Sequence, residues 1–242
     1  MLKLIKYDFR RNRDQILAAF VITILAQIGI GFTITSDQEL FMMNIVTYII
    51  AAIALLFIGL RTFEQNLRFY NRQLLPVPIL YTIFSPLLLF LGLLLGVFLI
   101  GYIHLGFYIL RFTDSFLPAQ FWSTSSYALL LFLWSAPFSM LLIMFSITIA
   151  RSWRMKGKVW VGLVAFFVIQ NVISFIEMLL FGYSFSTMGD MFQFKVVVEP
   201  VSSNELELFQ NMYGFMPVLF EAVIAIILIV IMIKLIKRRV ES

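Results

Sequence analysis

Long apolar runs alternate along this chain with short polar stretches. Six runs, 16–34, 41–60, 79–103, 127–150, 159–181 and 217–236, are each close to the ~20 residues a helix needs to cross ~30 Å of hydrocarbon. None shows the two-residue alternation of a barrel strand. Lipid offers the backbone no hydrogen bonds, so the expected fold is an all-α integral membrane bundle of six transmembrane helices. Two runs contain prolines, Pro86 and Pro137, which withhold a backbone N–H and tend to kink a helix. In "GLLLG", Gly92 and Gly96 have the small-xxx-small spacing that lets a second helix approach.

The polar stretches carry patterns of their own. In residues 1–15, "MLKLIKYDFRRNRDQ", Leu2, Ile5 and Phe9 fall on one helical face and Lys3, Lys6, Arg10 and Arg13 on another. That predicts an amphipathic helix lying in the membrane interface. The stretch 112–122 is dense in aromatics, with Phe112, Phe116, Phe121 and Trp122, as in an interfacial belt. The longest loop, 182–216, holds a capping-box pair, Ser202 and Glu205, followed by Leu206, Phe209 and Tyr213 at helical spacing. A short amphipathic helix at the outer end of the bundle is expected there, and no separate soluble domain.

Composition agrees with the pattern. Of the 242 residues 62% are hydrophobic and 13% charged, and the mean hydropathy is +0.98. That is too little polar surface for a water-soluble globule, in which about a quarter of residues are charged. The net charge of +5 is unevenly placed. Basic residues cluster at the N-terminus, at Arg61, Arg68 and Arg72, at 151–158 and at 234–239, while only Arg111 and Lys195 fall on the other side. Positive charge marks the cytoplasmic face, so both termini are expected inside the cell. The basic excess is accounted for by topology and anionic lipid, with no nucleic-acid partner. The N-terminal run is too long for a secretory h-region and lacks an A-x-A-like site, so it reads as a retained span.

The same inventory narrows the chemistry. With no cysteine and one histidine, His104, thiolate catalysis, disulfides and cysteine or two-histidine metal sites are excluded within one chain. A rhomboid-like protease needs G-x-S-G, and the nearest stretch, "GYSFS" at 182–186, has the wrong ending; H-E-x-x-H is absent. No phosphate loop is present, since the "GK" at Gly157–Lys158 lacks the upstream glycine and is followed by Val159.

Residues 61–78, "RTFEQNLRFYNRQLLPVP", are the most informative. Phe63, Leu67, Tyr70 and Leu74 share one helical face, and Arg61, Gln65, Arg68 and Arg72 the opposite one. Glu64 and Arg68 are spaced to pair at i, i+4, and Pro76 disfavours helix at Leu75. This predicts a short cytoplasmic amphipathic helix. It either rests on lipid or docks a partner, with aromatics in a groove and arginines on its acidic rim. With the basic N-terminal helix, six spans and both termini inside, the chain resembles the type-two ABC exporter permeases, including bacitracin, lantibiotic and antimicrobial-peptide exporters. Many of these place an acidic residue, a polar helical stretch and an "LP-(V/I)-S-R"-like ending after the second span. Glu64 and "LPVP" at 75–78 correspond, although Pro78 and Ile79 replace the Ser-Arg.

The resemblance implies that 61–78 is a coupling helix inserted in an ATPase subunit, through Phe63, Glu64, Leu67, Arg68, Tyr70, Arg72 and Leu74. It also implies that ATP and Mg bind the partner chain, with no cofactor or metal on this one. A second permease copy or paralogue would complete the transporter, and the chain itself is not expected to be an enzyme. The cargo implied is a hydrophobic or amphipathic peptide, antibiotic or lipid-like molecule moved out of the cell.

Charged groups within spans are costly and are candidates for function. His104, Glu177 and Glu221 all fall near span ends on the outer side. They either cluster at a substrate site or gate, or reach the interface and are solvated, the latter being favoured by their position. Two alternatives to an exporter stay open: a non-transporting partner, such as a sensor or immunity subunit, and a secondary transporter. No internal repeat of the kind common in secondary transporters is evident.

Overall fold

In a computed structural model of the chain, residues 1–33, 37–71, 78–112, 121–152, 157–181 and 216–240 are described. They form seven helices: α1 (Leu2–Arg11), α2 (Arg13–Thr33), α3 (Asp37–Asn71), α4 (Ile79–Phe112), α5 (Phe121–Ser152), α6 (Lys158–Phe181) and α7 (Met216–Val240). No strand occurs among the described residues. Six helices, α2 to α7, are long and apolar enough to cross a membrane. The chain is an all-α, multi-pass integral membrane protein. The helix expected within 182–216 and the aromatics between 113 and 120 lie outside the described residues.

The chain divides into two compact units, Met1–His104 and Leu105–Ser242. In the first, α2 packs along α3. Polar side chains inside this unit are held locally. Thr23 Oγ1 donates to Ala19 O at 2.7 Å and Thr62 Oγ1 to Ile58 O at 2.8 Å. Such i−4 bonds are how hydroxyls are satisfied where water is excluded. Gln27 Nε2 reaches across to the Asn44 carbonyl at 3.3 Å. Of the "GLLLG" pair, Gly96 lies under the Phe20 ring, where a Cβ would come 3.3 Å from Cζ, whereas Gly92 faces open space. The predicted close approach is therefore made at one of the two glycines, and by an aromatic ring.

In the second unit α5 is central and packs against both α6 and α7. Its middle is almost wholly buried, including Phe138, Met140, Leu142, Met144 and Phe145. Gly162 brings α6 close to α5, since a Cβ there would lie 3.2 Å from Ala150 Cβ and 3.5 Å from Ser146 O. Gly157, with φ of 101°, sits just ahead of α6, and its carbonyl accepts from the Trp160 and Val161 N–H groups at 3.0 and 3.3 Å. That backbone conformation suits glycine alone among ordinary residues.

Two boundaries differ from those expected. The N-terminal helix stops at Arg11, and Asn12 separates it from α2. Its buried side is Leu4 and Asp8, whereas Tyr7 and Phe9 are exposed. Residues 61–71 are not a separate helix but the unbroken continuation of α3. The drop in hydropathy after Leu60 marks where the apolar run ends. Nothing from Arg61 to Asn71 breaks a helix, so the backbone hydrogen bonding carries on.

Candidate functional site

At the arginine-bearing end of α3, three elements of the first unit converge on Asp8. Ser85 of α4 donates to Asp8 Oδ2 at 2.5 Å, and Asn66 Nδ2 of α3 donates to the same oxygen at 2.9 Å. Arg11, one turn further along α1, approaches Oδ1 at 3.1 Å and also donates to Asn66 Oδ1 at 3.0 Å. Because arginine only donates, it fixes the Asn66 amide with Nδ2 towards Asp8. Asn12 Nδ2 donates to the Asp8 carbonyl at 2.8 Å and to Thr62 Oγ1 at 2.9 Å. Asp8, Thr62, Asn66 and Ser85 have no exposed surface. Burial pushes the Asp8 carboxyl above its ordinary value of 3.8, against the opposing pull of Ser85, Asn66 and Arg11.

This brace changes how the predicted docking residues are read. Phe63 and Leu67, expected to fill a partner's groove, are buried inside the chain, at 0% and 2% exposure. The side turned outwards is the polar one. Arg61 is exposed, and Arg68 donates to Glu64 Oε1 at 2.8 Å, the two side chains being 63% and 40% exposed. A pair this exposed contributes about 0.5 kcal/mol at most, so its position matters more than its strength. Tyr70 lies in the last turn of α3, but its side chain, like Arg72 and Leu74, is outside the described residues.

Of the three ionisable residues expected near the outer side, His104 belongs to the first unit, where Nδ1 lies 3.1 Å from Tyr48 Oη. The two rings meet edge to face at 6.3 Å. Glu177 and Glu221 come together in the second unit. Both are fully buried, and their carboxyls act on each other electrostatically. For these two the favoured expectation of reaching solvent is therefore corrected, since position near a span end does not decide exposure when neighbouring helices enclose the side chain. Trp134 Nε1 of α5 donates to Glu221 Oε2 at 2.6 Å. Phe181, one turn beyond Glu177, and Phe220, next to Glu221 in sequence, meet edge to face at 6.1 Å and 72°. The arrangement encloses two acids and sets the Trp134 N–H on one of them. No group of three or more potential metal ligands occurs among the described residues.

Trp134→Phe tests that enclosure. The ring volume is mostly kept and one hydrogen bond to a buried carboxyl is lost, a loss of about 2 kcal/mol. Thermal unfolding in detergent should show a midpoint lower by roughly 4–8 °C. In a Glu221→Leu background the same change should have little further effect. A shift just as large in that background would show that the bond is not responsible.

The brace residues Asp8, Asn12, Thr62, Asn66 and Ser85, and Trp134, were not singled out from the sequence. One signal for Asp8 existed: an acid four residues after Leu4 within the basic N-terminal segment. Trp134 had none, since an aromatic in an apolar run is ordinary. Comparison of the chain with family models, curated proteins and solved structures gives no match. The likeness to exporter permeases rests on the architecture and on residues 61–78 alone.

Proposed function

We propose that this chain is the membrane-spanning permease subunit of an ATP-driven exporter for hydrophobic or amphipathic cargo, working with a cytoplasmic ATPase subunit and as two permease copies. One observation carries the reading. Helix α3 leaves the apolar zone without a break, is fixed to α1 and α4 through Asp8, and presents Arg61, Glu64 and Arg68 outwards. A braced helix end transmits displacement instead of bending, as a coupling element requires. The docking contact is the cationic face, met by an acidic surface on the ATPase, while Phe63 and Leu67 belong to the brace. Arg61→Glu combined with Arg68→Glu should abolish co-purification of an ATPase from native membranes in mild detergent. The wild type should retain it. Equal recovery with both proteins would place docking elsewhere, and no ATPase with the wild type would remove the ATP-driven reading.

A second reading, a secondary transporter, draws on the Glu177–Glu221 pair, because buried intramembrane carboxyls mark ion and proton pathways. Uptake or efflux by the purified chain in proteoliposomes, driven by an ion gradient without ATPase, would favour it.

A further inference from the structure

Within the second unit, α6 is less buried than α5 or α7, and its exposed side is not uniformly apolar. Asn171 stands near the middle of the membrane-crossing stretch Val159–Phe181, and its side chain faces outwards. Its Nδ2 donates to the Phe167 carbonyl at 2.7 Å, one turn back. The amide's second N–H and the Oδ1 acceptor have no partner among the described residues. A carboxamide left in hydrocarbon is costly, and its usual resolution is a hydrogen bond to another helix. The residues around it form a stripe: Trp160, Val164, Phe167, Asn171, Phe175 and Met178, spaced by three or four and all exposed. That is a coiled-coil seam with one asparagine at its core.

We infer that α6 pairs with α6 of a second copy of this chain about a two-fold axis along the membrane normal, with Asn171 of each copy hydrogen-bonded to its counterpart. A carboxamide is its own complement: the spare N–H of one copy meets the Oδ1 of the other, and the reverse. The two-fold axis places identical residues at the same depth, so the single asparagine finds its match without a second polar residue elsewhere. Val164, Phe167, Phe175 and Met178 supply the apolar packing on either side. A polar residue at one seam position also fixes register, because any slip leaves both amides in lipid. The inference rests on the two-copy part of the proposed function and not on its ATPase.

The absence of cysteine makes the test direct, since any introduced thiol is unique. Single substitutions Val164→Cys, Asn171→Cys and Met178→Cys lie on the stripe, and Val172→Cys lies about a quarter-turn round the helix. A disulfide forms only when the two Cα atoms come within ~7 Å. Oxidation in native membranes should give a dimer-sized product from the three stripe positions and little from 172. Separately, Asn171→Leu should weaken self-association in mild detergent roughly threefold to thirtyfold, read by light scattering across a dilution series. A helix covered by lipid, by another part of the chain or by a different protein gives no stripe-dependent product and overturns the pairing. So does unchanged association in Asn171→Leu. Both readouts are independent of ATPase recovery, so either reading can fail without the other.

Discussion

Phe63→Ala is expected to lower the stability of the protein by about 4 kcal/mol, the range for truncating a fully buried aromatic. Phe63 has no exposed surface and sits between Thr62 and Asn66 in sequence, next to the brace on Asp8. Removing the ring leaves a cavity beside the polar groups that converge on Asp8. Relaxation into that cavity would pull Asn66 away from Asp8. In detergent the thermal midpoint should fall by roughly 8–16 °C, whereas Arg61→Ala, on the exposed side of the same helix, should move it little. Any loss of partner binding by Phe63→Ala would then reflect a displaced helix end. Equal midpoints for the two variants would show that Phe63 is not part of the packed interior.

Asp8→Ala should cost about 3 kcal/mol. Deleting one member of a buried ion pair leaves the other without its counter-charge, and here Asn66 Nδ2 and Ser85 Oγ lose their acceptor as well. The Arg11 side chain keeps 18% exposure and can turn partly to water, which holds the loss below the upper end of such cases. Asp8→Asn keeps the shape but sets an amide N–H against Arg11, so it should rescue only part. Wild type also carries a pH signature. The folded carboxyl has its pKa raised above 3.8, so the folded form holds its proton more tightly than the unfolded one. This contribution is fully present below pH 3.8 and is lost as pH rises through the higher folded value. Midpoints measured across mildly acidic pH should show that decline in wild type and a flatter profile in Asp8→Asn. A rise over the same window would mean that the hydrogen bonds and Arg11 outweigh burial.

The spans were legible because a 20-residue apolar run has one physical solution in lipid. The expected spans agree with the structure to within a few residues at most boundaries, as for 159–181. What hydropathy could not show is where a helix stops when the run ends. Residues 61–78 were expected as a separate amphipathic helix, yet in the described part, 61–71, amphipathicity is equally what a continuing helix needs when one side packs on its own chain. On α1, Phe9 of the expected lipid-facing side is exposed, whereas the buried positions, Leu4 and Asp8, include an acid that hydropathy does not mark. Around a membrane protein, lipid accepts apolar side chains, so hydrophobic and interior are different properties. Asn171 and the Glu177–Glu221 pair show the same rule from its other side. A polar residue in a span must be enclosed or shared, and one sequence read alone does not say which.

The length of α3 has a mechanical consequence. Its 35 residues at ~1.5 Å each make a rod of about 52 Å, well beyond the ~30 Å hydrocarbon layer. A rod pivoting near its midpoint by ~10° moves its tip by roughly 4–5 Å, about the height of one helical turn. Small adjustments of slope among neighbouring helices are thus magnified at the arginine-bearing tip, and a push on that tip is returned to the bilayer with the same gearing.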